Sequence, residues 1–484
     1  ALAASMPDAF NPFCDGAALD CGNGQYASAI TAGQALDTRT VFETQVYSAS
    51  FDGSLFTLPG GNVRLAIGAE HQALKFVNGN TFGETVNDRK IYSGFAELFV
   101  PVFGPGNASP GMERLDLTAA IRVDDYNDVG STWNPKFGIN WSPTDWLKLR
   151  GSYGTSFRAP TLVDNDPNSQ AGHLPFTIAG NLIDPTLCPT CAGAGDTTIY
   201  YALGGAAGNL KPENSESWSL GFDIAPPASG VNISVTYWNV NYTGQVSTPV
   251  YNVGAFQAIN QGYYDGEIIY NPAYFPGKAA SNPVALFGPY PYDASNPSCA
   301  AVAGQAVTSQ ALYDSLVTCL NTGGNSPILG IPSNNPIAIE NGHRLNAGST
   351  HGDGFDISAS YDWSGGSRNW HLGLIASYIR SWKVSPIPGA PVLDQVNKFG
   401  YPLRFRGRAD ASWTGPVGPG DLTLAGFLNY ANGYEMDPIL LPAGVPLQYA
   451  DIDSYATVDL ALNYSFAEDS GSLLSGLSFT ISAQ

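Results

Sequence analysis

With 484 residues, 44% of them hydrophobic and only 13% charged, the chain carries enough apolar material for a large core or a lipid-coated barrel. It contains no run of about 18 uncharged apolar residues, which excludes a bundle of membrane-spanning helices. The formal net charge of -20 and the lack of a basic stripe exclude a nucleic-acid partner of the usual electrostatic kind.

The chain opens ALAASMPDAF, with no charged region followed by an apolar one, so no signal peptide stands in the sequence and a mature or partial form is expected. Alternation begins over 39–56 and 62–77, around Leu58-Pro59-Gly60-Gly61, and resumes after a polar loop over 90–103 and 113–126. In the last of these Leu115, Leu117, Ala119, Ile121 and Val123 share one parity, while Arg114, Asp116 and Arg122 share the other. The stretch 133–162 writes the next hairpin. Phe137, Ile139, Trp141, Leu147, Leu149, Tyr153 and Phe157 form an apolar face, opposite Lys136, Lys148, Arg150 and Arg158. Ser142-Pro143-Thr144-Asp145 turns the chain between them.

An irregular stretch is expected over 159–212. Strands then return with Trp218, Leu220, Phe222 and Ile224, a turn at Ala225-Pro226-Pro227-Ala228, and Val231, Ile233, Val235 and Tyr237. A second excursion spans 247–340, within which 309–320 reads as a short helix. Three more hairpins follow. They turn through 364–369, 415–420 and 467–475, and a last strand starts near Gly476.

About 14 strands result, with short connections near residues 59, 107, 143, 227, 367, 418 and 471 strictly alternating with long ones. That rhythm predicts an all-β fold: a transmembrane antiparallel β-barrel of the outer-membrane type, with short periplasmic turns and long extracellular loops. Trp141, Trp146, Trp363, Trp370 and Trp413 all fall at short-turn ends, as an interfacial aromatic girdle requires. The opposite parity places Arg114, Arg122, Lys148, Arg150, Arg404, Arg406 and Arg408 on the face of the lumen or of a plug inside it.

The six cysteines fall in three local pairs: Cys14 with Cys21, Cys188 with Cys191, and Cys299 with Cys319. Each lies in a stretch rich in Gly, Pro, Asn or Asp. Disulfides that staple loops in an oxidising compartment are favoured over the alternative that Cys-Pro-Thr-Cys is a redox or zinc half-site, because no second such pair accompanies it.

The segments WSPTDWLKLRGSYGTSFRAPTL, GNLKPENSESWSLGFDI and VNISVTYWNVNYTGQV resemble the barrel of TonB-dependent outer-membrane receptors, as does DIDSYATVDLALNYSF. Phe157-Arg158-Ala159-Pro160 and Asn209-Leu210-Lys211-Pro212-Glu213 carry the resemblance most specifically. It implies a barrel of about 22 strands around an N-terminal plug. Against that pattern, residues 1–484 are expected to be an incomplete barrel domain, without the plug, the early strands, the last strand or the TonB-binding segment.

The resemblance implies active, TonB-dependent uptake of a scarce nutrient: a siderophore, oligosaccharide, peptide or vitamin. A passive porin-like channel or a surface-binding barrel is the alternative, and no enzyme is expected. The implied partners are outer-membrane lipid and lipopolysaccharide, the TonB complex through the absent N-terminal region, and a small-molecule or oligomeric nutrient. No intrinsic cofactor and no bound metal are expected.

Substrate-binding candidates come from the long loops and strand ends: Arg158, His173, Tyr200, Tyr201, Tyr263, Tyr264, His343 and Arg344. Aromatic platforms suit sugars, flat chelates or apolar ligands, and packing of the loop onto its neighbours is the competing reading. His173 lies where haem-carrying relatives keep a histidine, although Gly208-Asn209-Leu210 matches the neighbouring box only in part, so haem is disfavoured. Asp265, Glu267, Asp293, Asp314 and Glu340 face a single Lys278 in the second excursion. An acidic mouth of this kind is expected to repel anionic chelates.

Overall fold

A computed structural model describes residues 39–80, 83–164, 172–179, 183–191, 196–203, 210–248, 255–278, 297–302, 305–322, 336–436, 451–467 and 474–483. Cys14 and Cys21 lie outside the described residues.

The strands follow chain order. β1 (Arg39–Leu58), β2 (Gly61–Asn80), β3 (Gly83–Phe103) and β4 (Arg114–Tyr126) lead into β5 (Gly130–Ser142) and β6 (Leu147–Arg158). β7 (Gly172–Ala179) and β8 (Asp196–Leu203) precede β9 (Glu213–Ile224) and β10 (Val231–Ser247). β11 (Ile268–Tyr270) and β12 (Ala338–Asn341) lie in the second excursion, before β13 (Leu345–Gly365), β14 (Arg368–Ser385) and β15 (Leu393–Asp394). β16 (Phe405–Val417), β17 (Gly420–Ala431), β18 (Tyr434–Glu435), β19 (Asp451–Ile452), β20 (Tyr455–Phe466) and β21 (Ser478–Ala483) complete the set.

One 15-stranded sheet takes the order β1-β2-β3-β4-β5-β6-β9-β10-β13-β14-β16-β17-β20-β21, with β15 added beside β14. Its path holds the fourteen strands expected from alternation, each antiparallel to the next. Among the described residues no helix is long and apolar enough to cross a membrane, and the strands supply the spans.

Register confirms the two faces. Tyr153 opposes Trp218, Leu220 opposes Tyr237, and Tyr237 opposes Phe355, which in turn opposes Tyr378. These residues share the apolar face, where Leu220 is 59% exposed and Leu372 is 52% exposed. An apolar band left open to its surroundings is what lipid covers. At the short-turn end Trp363 stacks on Trp370 at 6.1 Å and Trp370 meets Trp413 at 6.2 Å. The turns there are tight. Gly366 and Gly418 take φ of 65° and 62°, conformations that a side chain would strain.

Two expectations fail in detail. Connections do not alternate strictly, because β2 and β3 pair up to Asn80 and Gly83, and β4 meets β5 across 127–129. Strand length replaces loop length there, since β2 and β3 run 20 and 21 residues. Nor is 159–212 irregular throughout, and the second excursion adds strands to its helix. β7, β8, β11 and β12 form a second, four-stranded sheet, ordered β11-β12-β8-β7.

The loops and short helices around that small sheet carry most of the buried apolar side chains among the described residues. Ile183, Cys188, Cys191, Ile259, Tyr264, Ile268 and Ile337 form one buried cluster, joined by Ile387 and Ala390 from the connection after β14. Ile269, Val302, Tyr313, Leu316 and Ile339 form another. The helix expected over 309–320 is present as Gln310–Thr322 and supplies the second cluster with Tyr313, Leu316 and Val317. Each four-residue step buries one side of an otherwise polar helix.

Candidate functional site

The long loops fold into one cap. β12 pairs in parallel with β8, so the loop after β10 is hydrogen-bonded to the loop after β6, and β8 pairs with β7. Cys188 and Cys191 are bonded to each other and fully buried in this cap. Cys319 is likewise disulfide-bonded and buried, while the side chain of Cys299 lies outside the described residues.

At the barrel rim, where the long loops return, Glu213, which is 1% exposed, ties β6, β9 and β10 together. Its carboxylate accepts two hydrogen bonds from Arg158, at 2.7 and 2.8 Å, one from the Val246 amide at 2.6 Å, and one from the Tyr242 hydroxyl. A buried carboxylate held by a bidentate guanidinium and two further donors is fully satisfied. Asn346 adds a clamp, accepting from the Lys211 amide at 2.7 Å and donating to the Lys211 and Gly244 carbonyls.

The sequence candidates divide accordingly. Arg158 is committed to Glu213, and Arg344 pairs with Asp164 at 3.0 Å. Tyr264 is fully buried and burial pushes its phenol up, while Tyr263 packs on it with ring centres 4.6 Å apart. His343 is 2% exposed, contacts Asn341 at 2.7 Å through Nδ1, and is pushed down to about 4 by burial. For His173, Tyr200 and Tyr201 the backbone alone is described: His173 lies opposite Ala202, and Tyr200 and Tyr201 lie beside Ile339 and Glu340.

The carboxylates taken as an acidic mouth are largely internal to the cap. Asp265 binds Lys278 at 2.7 Å, Glu267 accepts from Asn341 at 2.6 Å, and Glu340 is fully buried. Asp265 and Glu267 spend their charge on these partners, whereas Asp314 is exposed on its helix, so the repulsion of anions expected from a count of acids weakens only in part. Asp293 lies outside the described residues.

Glu213 is the residue that sequence reasoning missed. Its signal was its position opening a strand in the same segment that carries the resemblance, on the parity of Arg158.

On the polar face of the barrel most arginines are paired with carboxylates. Arg64 meets Asp52, Arg89 meets Asp128, Arg114 meets Asp116, Arg122 meets Asp124 and Glu70, and Arg150 meets Asp223. Arg404, Arg406 and Arg408 form no such pair among the described residues; Arg408 lies over the Phe427 ring at 4.4 Å, and Arg404 donates to the Arg380 carbonyl at 3.1 Å.

A many-stranded antiparallel sheet with one apolar face, an aromatic girdle at its short-turn end and a capped opposite end defines an outer-membrane β-barrel. Residues 11–278 match the family described as TonB dependent receptor-like, beta-barrel, and the chain belongs to that family. Membership places it in a Gram-negative outer membrane, with the long loops outside.

Among curated relatives, a hemin receptor of Yersinia enterocolitica is 28% identical over 191 residues, covering 35% of this chain and 25% of that protein. A probable TonB-dependent siderophore receptor of Acinetobacter baumannii is 27% identical over 142 residues, covering 29% of this chain and 16% of that protein. Both are receptors and neither is described as an enzyme. Among solved structures, a ferric enterobactin receptor mutant of Pseudomonas aeruginosa superposes with a TM-score of 0.51 at 14% identity, over 88% of this chain and 47% of that one. The likeness is one of fold. The chain spans about half the length of that receptor.

Proposed function

We propose that the chain is the barrel and extracellular cap of a larger receptor that takes up an iron chelate across the outer membrane, energised by TonB. The observation that carries this reading is membership of the family by a barrel whose long loops are consolidated into one cap at the external mouth. A cap packed against Ala347, Ile387 and Ala390, above a rim tied together by Glu213 and Asn346, gives a preorganised entrance, which suits capture of a scarce ligand better than free diffusion. The named relatives point to iron-bearing cargo, haem or siderophore. In this reading the polar face lines the lumen and chemistry is confined to binding and release.

Between the two cargoes, the four histidines whose side chains are described favour a siderophore. His71 stacks on Tyr92, His343 is buried against Asn341, His351 contacts Asn239, and His371 sits between Asp362 and Asp410. Each of these imidazoles is already engaged, whereas a haem ligand must be offered to iron.

The test is growth of an iron-starved host lacking its own receptors, expressing the full-length protein. Growth restored by a ferric siderophore or by haem is expected. No rescue by any iron chelate, with entry of unrelated small solutes instead, would support the porin alternative.

A further inference from the structure

At the short-turn end of the apolar face an arginine stands among the tryptophans. Arg368 opens β14 opposite Gly365, on the parity of Trp370, and so faces lipid and not the lumen. Its stem crosses Gly415: a Cβ placed on that glycine would meet Arg368 Cγ at 3.1 Å and the Trp413 ring at 2.7 Å. A long basic side chain laid beside a ring in this way keeps its methylenes on apolar surface and its head toward water. Arg368 is exposed and forms no ion pair or hydrogen bond among the described residues. Asp362 and Asp421, at the same end of their strands, lie on the opposite parity, and Asp362 is bonded to His371 at 2.7 Å. Over Phe355–Gly365 of β13, and along β14, β16 and β17, the lipid-facing parity holds no carboxylate.

The neighbouring indoles are also without acceptors. Trp141 donates its ring N–H to the Gly111 carbonyl at 3.0 Å, whereas Trp363, Trp370 and Trp413 find no acceptor among the described residues. A tryptophan N–H at the edge of an apolar layer ordinarily has a partner. Toward the middle of the strands the apolar face beside this patch is hollow. Trp370, Trp413, Leu424 and Leu462 lie side by side in one register row, and the next row runs Leu372, Ala411, Gly426 and Leu460. Two small residues between two leucines leave a trough of about 680 Å³, with Trp370 and Trp413 at its mouth. It continues along β16, whose next outward residues are Ala409 and Gly407.

We infer that Arg368 and the indoles of Trp363, Trp370 and Trp413 bind the phosphate of one anionic glycerophospholipid of the periplasmic leaflet, with an acyl chain in the trough over Ala411 and Gly426. An apolar channel that ends at a cluster of unpaired donors matches an amphiphile: chain in the trough, headgroup at the patch. Charge complementarity selects the headgroup. The forked guanidinium fits a phosphate diester, and this face offers no carboxylate to the ammonium of a zwitterionic lipid. A second copy of the chain is the poorer occupant, because its own apolar face would desolvate an unpaired arginine without compensation. The site lies on the outer wall and is independent of the cargo carried inside.

The test is native mass spectrometry of the full-length receptor in detergent, titrated with phosphatidylglycerol, with phosphatidylcholine, or with the water-soluble headgroup glycerophosphoglycerol. The parent is expected to retain one phosphatidylglycerol more tightly than phosphatidylcholine, and to retain no glycerophosphoglycerol. Arg368→Gln should weaken phosphatidylglycerol about tenfold and leave phosphatidylcholine unchanged, while Arg368→Lys, which keeps the charge, should weaken it less. Ala411→Leu, which fills the trough, should weaken both lipids. Heat-resistant mobility in detergent gels checks that each variant is a folded barrel. Equal retention of the two lipids by the parent, or undiminished phosphatidylglycerol in Arg368→Gln, would overturn the site. So would a dimer that Ala411→Leu dissociates, which would assign the trough to a second copy.

Discussion

Arg158 grips Glu213 through a bidentate pair at 2.7 and 2.8 Å, joining β6 to β9 across 55 residues of sequence. The two residues belong to the two segments that most resemble the receptor family, so the sequence similarity marks a structural joint. It sits where the loop after β6 returns to the barrel, and Tyr242 and Val246 bring β10 to the same carboxylate.

Removing Glu213 leaves a partly desolvated guanidinium and two orphaned donors. Glu213→Ala is expected to destabilise the rim by about 3 kcal/mol, the usual cost of breaking such a pair, while Tyr242→Phe costs about 1 kcal/mol. Hydrogen exchange should show faster opening at 242–247 in both. Equal protection in Glu213→Ala and the parent would contradict this role.

The cap should unfold separately from the barrel. Leu316→Ala opens a cavity beside Tyr313 and Ile339 and is expected to cost about 3 kcal/mol. Its effect should be confined to cap amides, with the heat-resistant mobility of the barrel in detergent gels unchanged. Loss of both together would show one cooperative unit.

Acid should loosen the cap through His343, whose folded value near 4 lies below the ordinary 6.5. Below about 6.5 the unfolded chain binds a proton that the buried imidazole refuses, so the unfolded state gains as pH falls. Cap stability should therefore decline between about pH 6.5 and 4, by roughly 3 kcal/mol at most, and level off below. His343→Gln should flatten the profile of cap protection against pH; an unchanged slope would remove His343 as its cause.

Much of the barrel was legible because a strand with one lipid face and one polar face must alternate, and fourteen strands did. The cap was not. β7 and β8 become strands by pairing with each other and with β12, a partner more than 130 residues away, and no local pattern encodes such a partner. Only the helix Gln310–Thr322, with its own four-residue rhythm, showed through. A bulge at Asp353 and Gly354 hid another feature. Asp353 stands on the apolar parity, buried and bonded to Tyr237 and Arg380, which alternation alone would assign to lipid. Among the site candidates, Tyr264 and His343 were found as residues of interest but belong to the cap interior, since sequence records side-chain type and not which side faces solvent.

Trp363, Trp370 and Trp413 should report the periplasmic interface. In vesicles, lipids brominated near the headgroup are expected to quench their fluorescence more than lipids brominated deep in the chain. Stronger quenching by the deep label would move the girdle into the hydrocarbon core.

The central claim is energised uptake of an iron chelate. Accumulation of radioactive iron, supplied as the chelate that restores growth, should be measured in cells expressing the full-length receptor, with and without a functional TonB complex. Uptake that is saturable and abolished by loss of TonB is the predicted result; uptake that continues at the same rate without TonB, rising linearly with concentration, would contradict it.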